Sequence, residues 1–436
     1  MRFILTFLLA LILLCFLCIG LYFVPPIHQQ LSWRVDSLGT QLYYALYPPD
    51  QVALAPSDQV RAAVDATVQA MFPPAAVTPA LQSIPITVVD TPALPIAPTA
   101  PPQSTAPLPT PTIRPLPFQI SLAGIRHEYQ TFNNCGPANT SMLLSYWGWQ
   151  GDQQITRAAL RPHPDDANVM PQEIAAYAAQ ANMRAYIRVG GSIAQLRALL
   201  AAGFPVLVEM GHHPDDDWWM GHYVVISGYD DLRQVLILHD SLEEPDLLLP
   251  YAEMEQHWWR DFNRVFIVFA PPERELELLA LLGPDADLAA NLRRALAETE
   301  AEIPHLGGRD LFFALYNQGA DFLALGRTQD AVNAFDLAFS VYAGLEKDDR
   351  PWRVLWYRTD AYAAYYAAGR YQSVEDLSRA TLSMLSKRGL EESHYWRGMA
   401  FAAMGDTETA RAELKLAIKL RSTYGEAIQA LANLPQ

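Results

Sequence analysis

Two hydrophobic patterns divide most of the chain. Between Phe118 and about Pro272, apolar or alternating runs of strand length recur at Arg184 to Val189, Pro205 to Met210, Tyr223 to Ser227, Gln234 to His239 and Val265 to Phe269. Helical spacing covers Asn139 to Trp147, Gln172 to Ala181 and Ala194 to Ala202, the last ended by Gly203. Helices first and strands after predict an α+β domain over 118–272, not a regular βαβ alternation. From Glu273 the strand pattern stops. Leu276 to Leu282 and Asp287 to Glu302 read as helices parted by Gly283-Pro284, and 273–436 reads as all-α.

A repeat lies inside that helical part. Gly326, Gly369 and Gly405 each follow an apolar helix ending in ALG, AAG or AMG, and a second helix follows each. A glycine there suits a helix end that needs φ > 0. Seven residues before them stand Gly319, Tyr362 and Gly398; twelve after stand Ala338, Thr381 and Ala417. Spacings of 43 and 36 residues are near the tetratricopeptide period. The region resembles about three tetratricopeptide repeats, which implies a protein partner or substrate bound through the helical repeats. In the middle unit, Tyr362 would block the close helix approach that glycine permits, so that pair must pack differently.

The N-terminal part is different again. Phe3 to Val24 is uncharged over 22 residues, long enough to span a bilayer. It lacks a small-residue cleavage site, so 3–24 reads as an uncleaved transmembrane signal anchor. Arg2 favours a cytoplasmic N-terminus, with the bulk of this single-pass protein extracytoplasmic; cleavage of the segment would make it secreted. Residues 25–72 read as short helices, for example Asp58 to Met71. From 73 to 117 there are 14 prolines in 45 residues and only Asp90 and Arg114 are charged, the composition of an extended linker. Within it, Ile84 to Val89 could form a short strand.

Charge and cysteine content narrow the chemistry. A net charge of −16 without a basic run argues against nucleic acid. Of the three cysteines, Cys15 and Cys18 lie in the apolar N-terminal run, which leaves Cys135 alone and excludes a disulfide framework around it.

Cys135 stands in YQTFNNCGPANTSM. Asn133 or Asn134 can serve as N-cap, and Pro137 is tolerated in a first helical turn. Cys135 is therefore predicted at a helix N-terminus, where the macrodipole and free N–H groups favour thiolate. A thiolate nucleophile also needs a base held by a third group. His222 lies in WWMGHYVVISGYDDLRQVLILHDSL, which reads as a β-hairpin turning around Gly228 to Arg233. A turn centred on Asp231 sets His222 opposite Asp240, both on one face, with Cβ atoms about 5 Å apart. Asp230 or Asp231 could take that place in another register. Gln130 and the Cys135 amide could donate hydrogen bonds to a developing oxyanion. Cys, then His, then Asp, with a glutamine upstream, is a papain-like order.

The stretches YQTFNNCGPANTSMLL, MGHYVVISGYDD and LILHDS resemble the bacteriocin-processing, double-glycine-type cysteine peptidase family, in its broad peptidase-like branch. The resemblance spans roughly 125–268. It implies a papain-like fold with Cys135 as nucleophile, His222 as base, Asp240 as orienter and Gln130 in the oxyanion hole. The expected activity is peptide hydrolysis, with a peptide or protein as substrate. An acyl transferase on the same triad and a non-catalytic peptide-binding scaffold are the alternatives. The Gln–Cys spacer is one residue shorter than the family often has, and no transporter or ATPase domain adjoins it in this sequence.

No cofactor and no metal are expected. His212 and His213 before Pro214, and His163 before Asp165 and Asp166, read as solvated loops, because no third ligand has helix or hairpin spacing to them. His239 should point away from the face of Asp240. Trp218, Trp219, Trp258 and Trp259 fit a cleft rim or a core equally well.

Overall fold

The computed structural model describes residues 22–48, 115–213, 218–386 and 389–435, together with Leu13, Leu14, Phe16 and Gly20. The apolar run 3–24, apart from those four positions and residues 22–24, and 58–71, 84–89 and nearly all of 73–117 lie outside the described residues. Among the described residues no helix is long and apolar enough to cross a membrane. Helix α1 (Pro25–Leu46) is one continuous element rather than several short ones, with proline in its first turn, where the missing N–H has no partner to lose.

The α+β part is an antiparallel sheet of β1 (Gln119–Ser121), β2 (Arg184–Arg188), β3 (Val206–His212), β4 (Met220–Asp230), β5 (Val235–His239), β6 (Leu247–Pro250) and β7 (Phe266–Ala270). The order is β2-β7-β3-β4-β5-β6, and β1 pairs with the last residues of β4, past the end of β3. Both faces are covered, so the central strands read as apolar runs instead of alternating ones. Leu207, Tyr223, Val225, Ile267 and Phe269 pack against α2 (Cys135–Tyr146) and α4 (Pro171–Gln180). Val206, Val208, Val224, Ile226 and Val268 pack on the other side with α5 (Ile193–Ala201) and Trp259.

The predicted strands and helices of this part are present to within a few residues. The sequence pattern missed β1, β6 and α3 (Gln153–Leu160). The first two are only 3 and 4 residues long. Helix α3 carried a readable signal: the Asp152 carboxylate accepts from the Gln154 and Ile155 amides as an N-cap.

After Ala270 the described chain is helical. Helices α6 (Glu275–Leu282) and α7 (Leu288–Glu302) lead into the hairpins α8 (Gly308–Ala324) with α9 (Thr328–Ala343), α10 (Asp360–Ala367) with α11 (Tyr371–Ser383), and α12 (Glu391–Ala403) with α13 (Thr407–Leu420). Helix α14 (Gly425–Asn433) follows. Gly326, Gly369 and Gly405 sit in the three turns at φ +76°, +75° and +89°, as their spacing predicts. Gly319 and Gly398 are the close-approach positions: a Cβ would come 2.8 Å from the Phe335 ring and 2.9 Å from Leu414 Cγ. In the middle hairpin Tyr362 is fully buried, and its hydroxyl donates to Thr381 Oγ1 at 3.0 Å. The bulk that the sequence flagged is thus absorbed by a polar contact across α10 and α11.

The helical region packs against the sheet domain. Trp219 and Phe262 join its core, and Arg421 pairs with Glu173 at 2.9 Å. The end of α1 docks there too, with Tyr44 against Trp218 and Trp352.

Candidate active site

Cys135 is the first residue of α2, as the cap signals predict. The chain reaches it through Asn133 at φ 53°. Asn134 holds the N-cap position, but its side chain does not cap: Nδ2 donates to Gln153 Oε1 at 2.9 Å. The amides of the first turn are left for whatever lies at Cys135. Gly136 is closely packed: a Cβ there would approach Val169 Cβ to 3.0 Å.

His222 on β4 lines the same cavity as Cys135, and its imidazole is near enough to act on the thiol. His222 Nε2 lies 2.7 Å from Asp240 Oδ1, so Nδ1 is the ring nitrogen turned to sulfur. Both partners are buried, at 1% and 5% exposure. Burial opposes charge on all three groups, and their mutual contacts outweigh it. The Cys135 thiol is held below its ordinary value by the His222 imidazolium and by the Tyr223 and Gly136 amides. His222 is raised to about 10 by Asp240 and the Cys135 thiolate. Asp240 falls to about 2 beside His222 and the Leu242 amide. The lowered thiol and the raised imidazole both favour a thiolate–imidazolium pair, with an ionised carboxylate behind it.

The register that brings His222 to Asp240 differs from the symmetric hairpin. Near the turn Asp230 pairs with Val235 and Gly228 with Ile237. A bulge at Ser227 then shifts the ladder by one, so that Ile226 pairs with Leu238 and Val225 with His239. Asp240 is the next residue, just past β5, beside Val224 and diagonal to His222. Without the bulge the two side chains would point to opposite faces. The Asp240 carboxylate is fixed by the loop it begins, accepting from the Leu242 amide at 2.8 Å.

Gln130 lies at the same cavity as Cys135 and His222. Its amide nitrogen donates to the Ser241 carbonyl and its Oε1 accepts from Ser241 Oγ, both at 2.7 Å. With Oε1 occupied, the side-chain NH2 is the part left for the cavity. Ser241 is itself held by Asn139 Nδ2 at 2.8 Å, and Asn139 also donates to the Tyr223 carbonyl at 2.7 Å. Sequence reasoning missed Asn139 and Ser241. Their signal was position: one helical turn after Cys135 and one residue after Asp240.

The cavity is narrow, about 40 Å³, and Glu209 and Tyr357 also line it. Glu209, on β3, is 2% exposed, and burial raises its carboxyl well above the usual range. Tyr223 gives its hydroxyl proton to the Val169 carbonyl at 3.0 Å. Tyr357 belongs to the helical region, which therefore supplies one wall of the site.

The remaining candidates sort clearly. His212 is no solvated loop residue: it ends β3, and its ring centroid is 5.2 Å from that of His222. His163 is a local turn acceptor for the Asp165 amide. His239 points to the other face from Asp240, beside His127. Asp230 and Asp231 are at the far end of the hairpin, where Asp231 pairs with Arg197 and Tyr251. Trp259 and Trp219 are core, and Trp218 packs on Tyr44.

Comparison with known proteins agrees on the kind of domain. Residues 118–265 match the model of the Peptidase_C39 like family, about a third of the chain. A crystal structure described as a C39-like peptidase from Bacillus anthracis matches with 18% identity over 35% of this chain and 97% of that chain, at a TM-score of 0.29. No curated protein matches the chain. The family match supports a papain-like peptidase domain at 118–265.

Proposed function

We propose that the chain is a cysteine peptidase in which Cys135 is the nucleophile, His222 the general base and acid, Asp240 the group that orients His222, and Gln130 an oxyanion donor. The observation that carries this reading is that Cys135, at the start of α2, shares a cavity with His222, whose other ring nitrogen is hydrogen-bonded to Asp240. The thiolate attacks a peptide carbonyl. The tetrahedral oxyanion takes hydrogen bonds from the Gln130 NH2 and the Cys135 amide. His222 protonates the leaving amine through Nδ1, and the acyl-enzyme then passes to water activated by the same nitrogen.

In the same reading, the uncharged run 3–24 anchors the protein in a membrane, with the bulk outside the cytoplasm. The linker 73–117 holds the peptidase domain off the surface. The helical hairpins act as tetratricopeptide-like repeats that bind a partner or substrate protein, and Tyr357 is where that region meets the cleft. A peptide-library digest comparing the wild type with Cys135→Ala tests the core of the proposal. Cleavage that disappears in the variant is expected; equal cleavage by both would overturn it.

A further inference from the structure

Behind the active-site loop, where the sheet domain meets α12 and α13, four carboxylates converge in the interior. Asp166, Glu173, Glu391 and Glu392 are at most 7% exposed. One oxygen from each of Glu173, Glu391 and Glu392 lies within 4.8 Å of the others. Among the described residues, neither oxygen of Glu391 has a hydrogen-bond partner, and Asp166 Oδ2 has none either. Orphaned carboxylate oxygens in a dry interior are costly, so their grouping calls for a ligand.

The two described guanidinium groups at this place are already committed. Arg421 donates to Glu173 at 2.9 Å. Arg161 spends its guanidinium on carbonyls, those of Asp166, at 2.9 Å from Nε, and Asn133, at 2.6 Å. Among the described residues the four carboxyl groups outnumber these two guanidinium groups, and a divalent cation bound among them would let them ionise. The donors are all hard oxygens, which favours calcium or magnesium over zinc. Calcium bonds oxygen at about 2.3–2.6 Å, so oxygens opposite one another across it lie about 5 Å apart, and three oxygens within 4.8 Å are near enough to share one ion. Magnesium keeps several waters, and a closed carboxylate group gives it little room for them.

We propose that Glu173, Glu391 and Glu392 form a calcium site that staples the helical region to the peptidase domain, with Asp166 adding charge beside it. The sequence concealed it, because Glu173 is more than two hundred residues from Glu391 and neither has metal-motif spacing. The site reaches the catalytic loop by two links. Arg161 ties Asp166 to the Asn133 carbonyl, two residues before Cys135. The Ala167 amide donates to the Gly389 carbonyl at 2.9 Å, two residues before Glu391.

The test uses the full chain, stripped with chelator and titrated by calorimetry with calcium and separately with magnesium. Thermal melts with calcium and with chelator accompany it. The expected result is one calcium per chain, a higher Tm with calcium than with chelator, and much weaker binding of magnesium. Glu391→Gln keeps the shape and removes one charge. It should lower calcium affinity at least about tenfold, the usual cost of disturbing a metal site, and abolish the calcium-dependent change in Tm. Glu392→Gln serves the same purpose if the first variant does not fold. No heat and identical melts for the wild type would overturn the proposal, and so would a folded Glu391→Gln chain that binds calcium as the wild type does.

Discussion

His222 Nε2 and Asp240 Oδ1 are 2.7 Å apart although the two residues are not opposite each other in the β4–β5 ladder. They meet diagonally, and the carboxylate is held by the loop that follows β5. This pair sets the pH behaviour of the site. Cys135 is lowered and His222 raised to about 10, so the reactive ion pair exists between those limits. Activity should rise as the thiolate forms and fall on the alkaline side near pH 10, with both limbs belonging to the coupled pair. Asp240→Asn removes the main support for the imidazolium. The alkaline limb should move down toward the ordinary imidazole value, and kcat/KM should drop about 10²-fold or more. A pH profile of Cys135 alkylation reads this without substrate. An unchanged alkaline limb in the variant would show that Asp240 does not hold the pair.

How much of this was legible in the sequence depends on the range of the signal. The helix start at Cys135 was legible from its neighbours, with Pro137 in the first turn, although the Asn134 side chain turns to Gln153 instead of capping. The apolar runs gave the central strands because both sheet faces are covered. The union of His222 with Asp240 was anticipated, but by a symmetric hairpin that the chain does not form. The Ser227 bulge restores the shared face, and nothing local in ISGYDD announces it. Ser241, Asn139 and Tyr357 reach the site through tertiary contacts alone, which no periodicity encodes.

Gln130 and Ser241 should separate by size of effect. Gln130→Ala deletes an oxyanion donor, and such losses cost about 10²–10³ in kcat. Ser241→Ala leaves the amide in place but frees it to rotate, since Ser241 Oγ donates to Gln130 Oε1. A smaller fall in kcat with little change in KM is expected, because the contact matters most when the oxyanion develops. Steady-state kinetics on one peptide substrate would check both. A Ser241→Ala change confined to KM would assign that serine to substrate binding instead.

Gly228 marks the place where β1 closes on β4. A Cβ there would sit 2.2 Å from the Ile120 carbonyl oxygen, a backbone atom that cannot swing away. Gly228→Ala should therefore displace β1 and destabilise the domain by about 1–3 kcal/mol, the usual range for overpacking. Denaturant melts would measure it. Gly124→Ala is a useful contrast: its φ of +99° is strained for alanine, but no atom lies within 4 Å of the added methyl. Hydrogen exchange that speeds up across β1 in Gly228→Ala alone would identify the clash as the cause.

Asp321, on α8, gives a pH signature to the junction of the two regions. Burial raises its carboxyl to about 7 from an ordinary 3.8, against the lowering effect of the Asn263 hydrogen bond and Arg358. Its Oδ1 accepts from Asn263 at 2.7 Å, while Oδ2 is buried without a partner among the described residues. A raised acid binds its proton more tightly when folded. Its contribution to stability is therefore complete below about pH 4, declines as pH rises toward 7 and is gone above that. The slope is at most about 1.4 kcal/mol per pH unit. Asp321→Asn keeps an oxygen for Asn263 and carries no charge at any pH. Relative to the wild type, the variant should gain stability between pH 4 and 7 and hold that gain at pH 8. Urea melts of both chains at pH 4.5, 6 and 8 measure the difference; a gap that stays constant with pH would mean that Asp321 titrates normally and that its burial is relieved in solution.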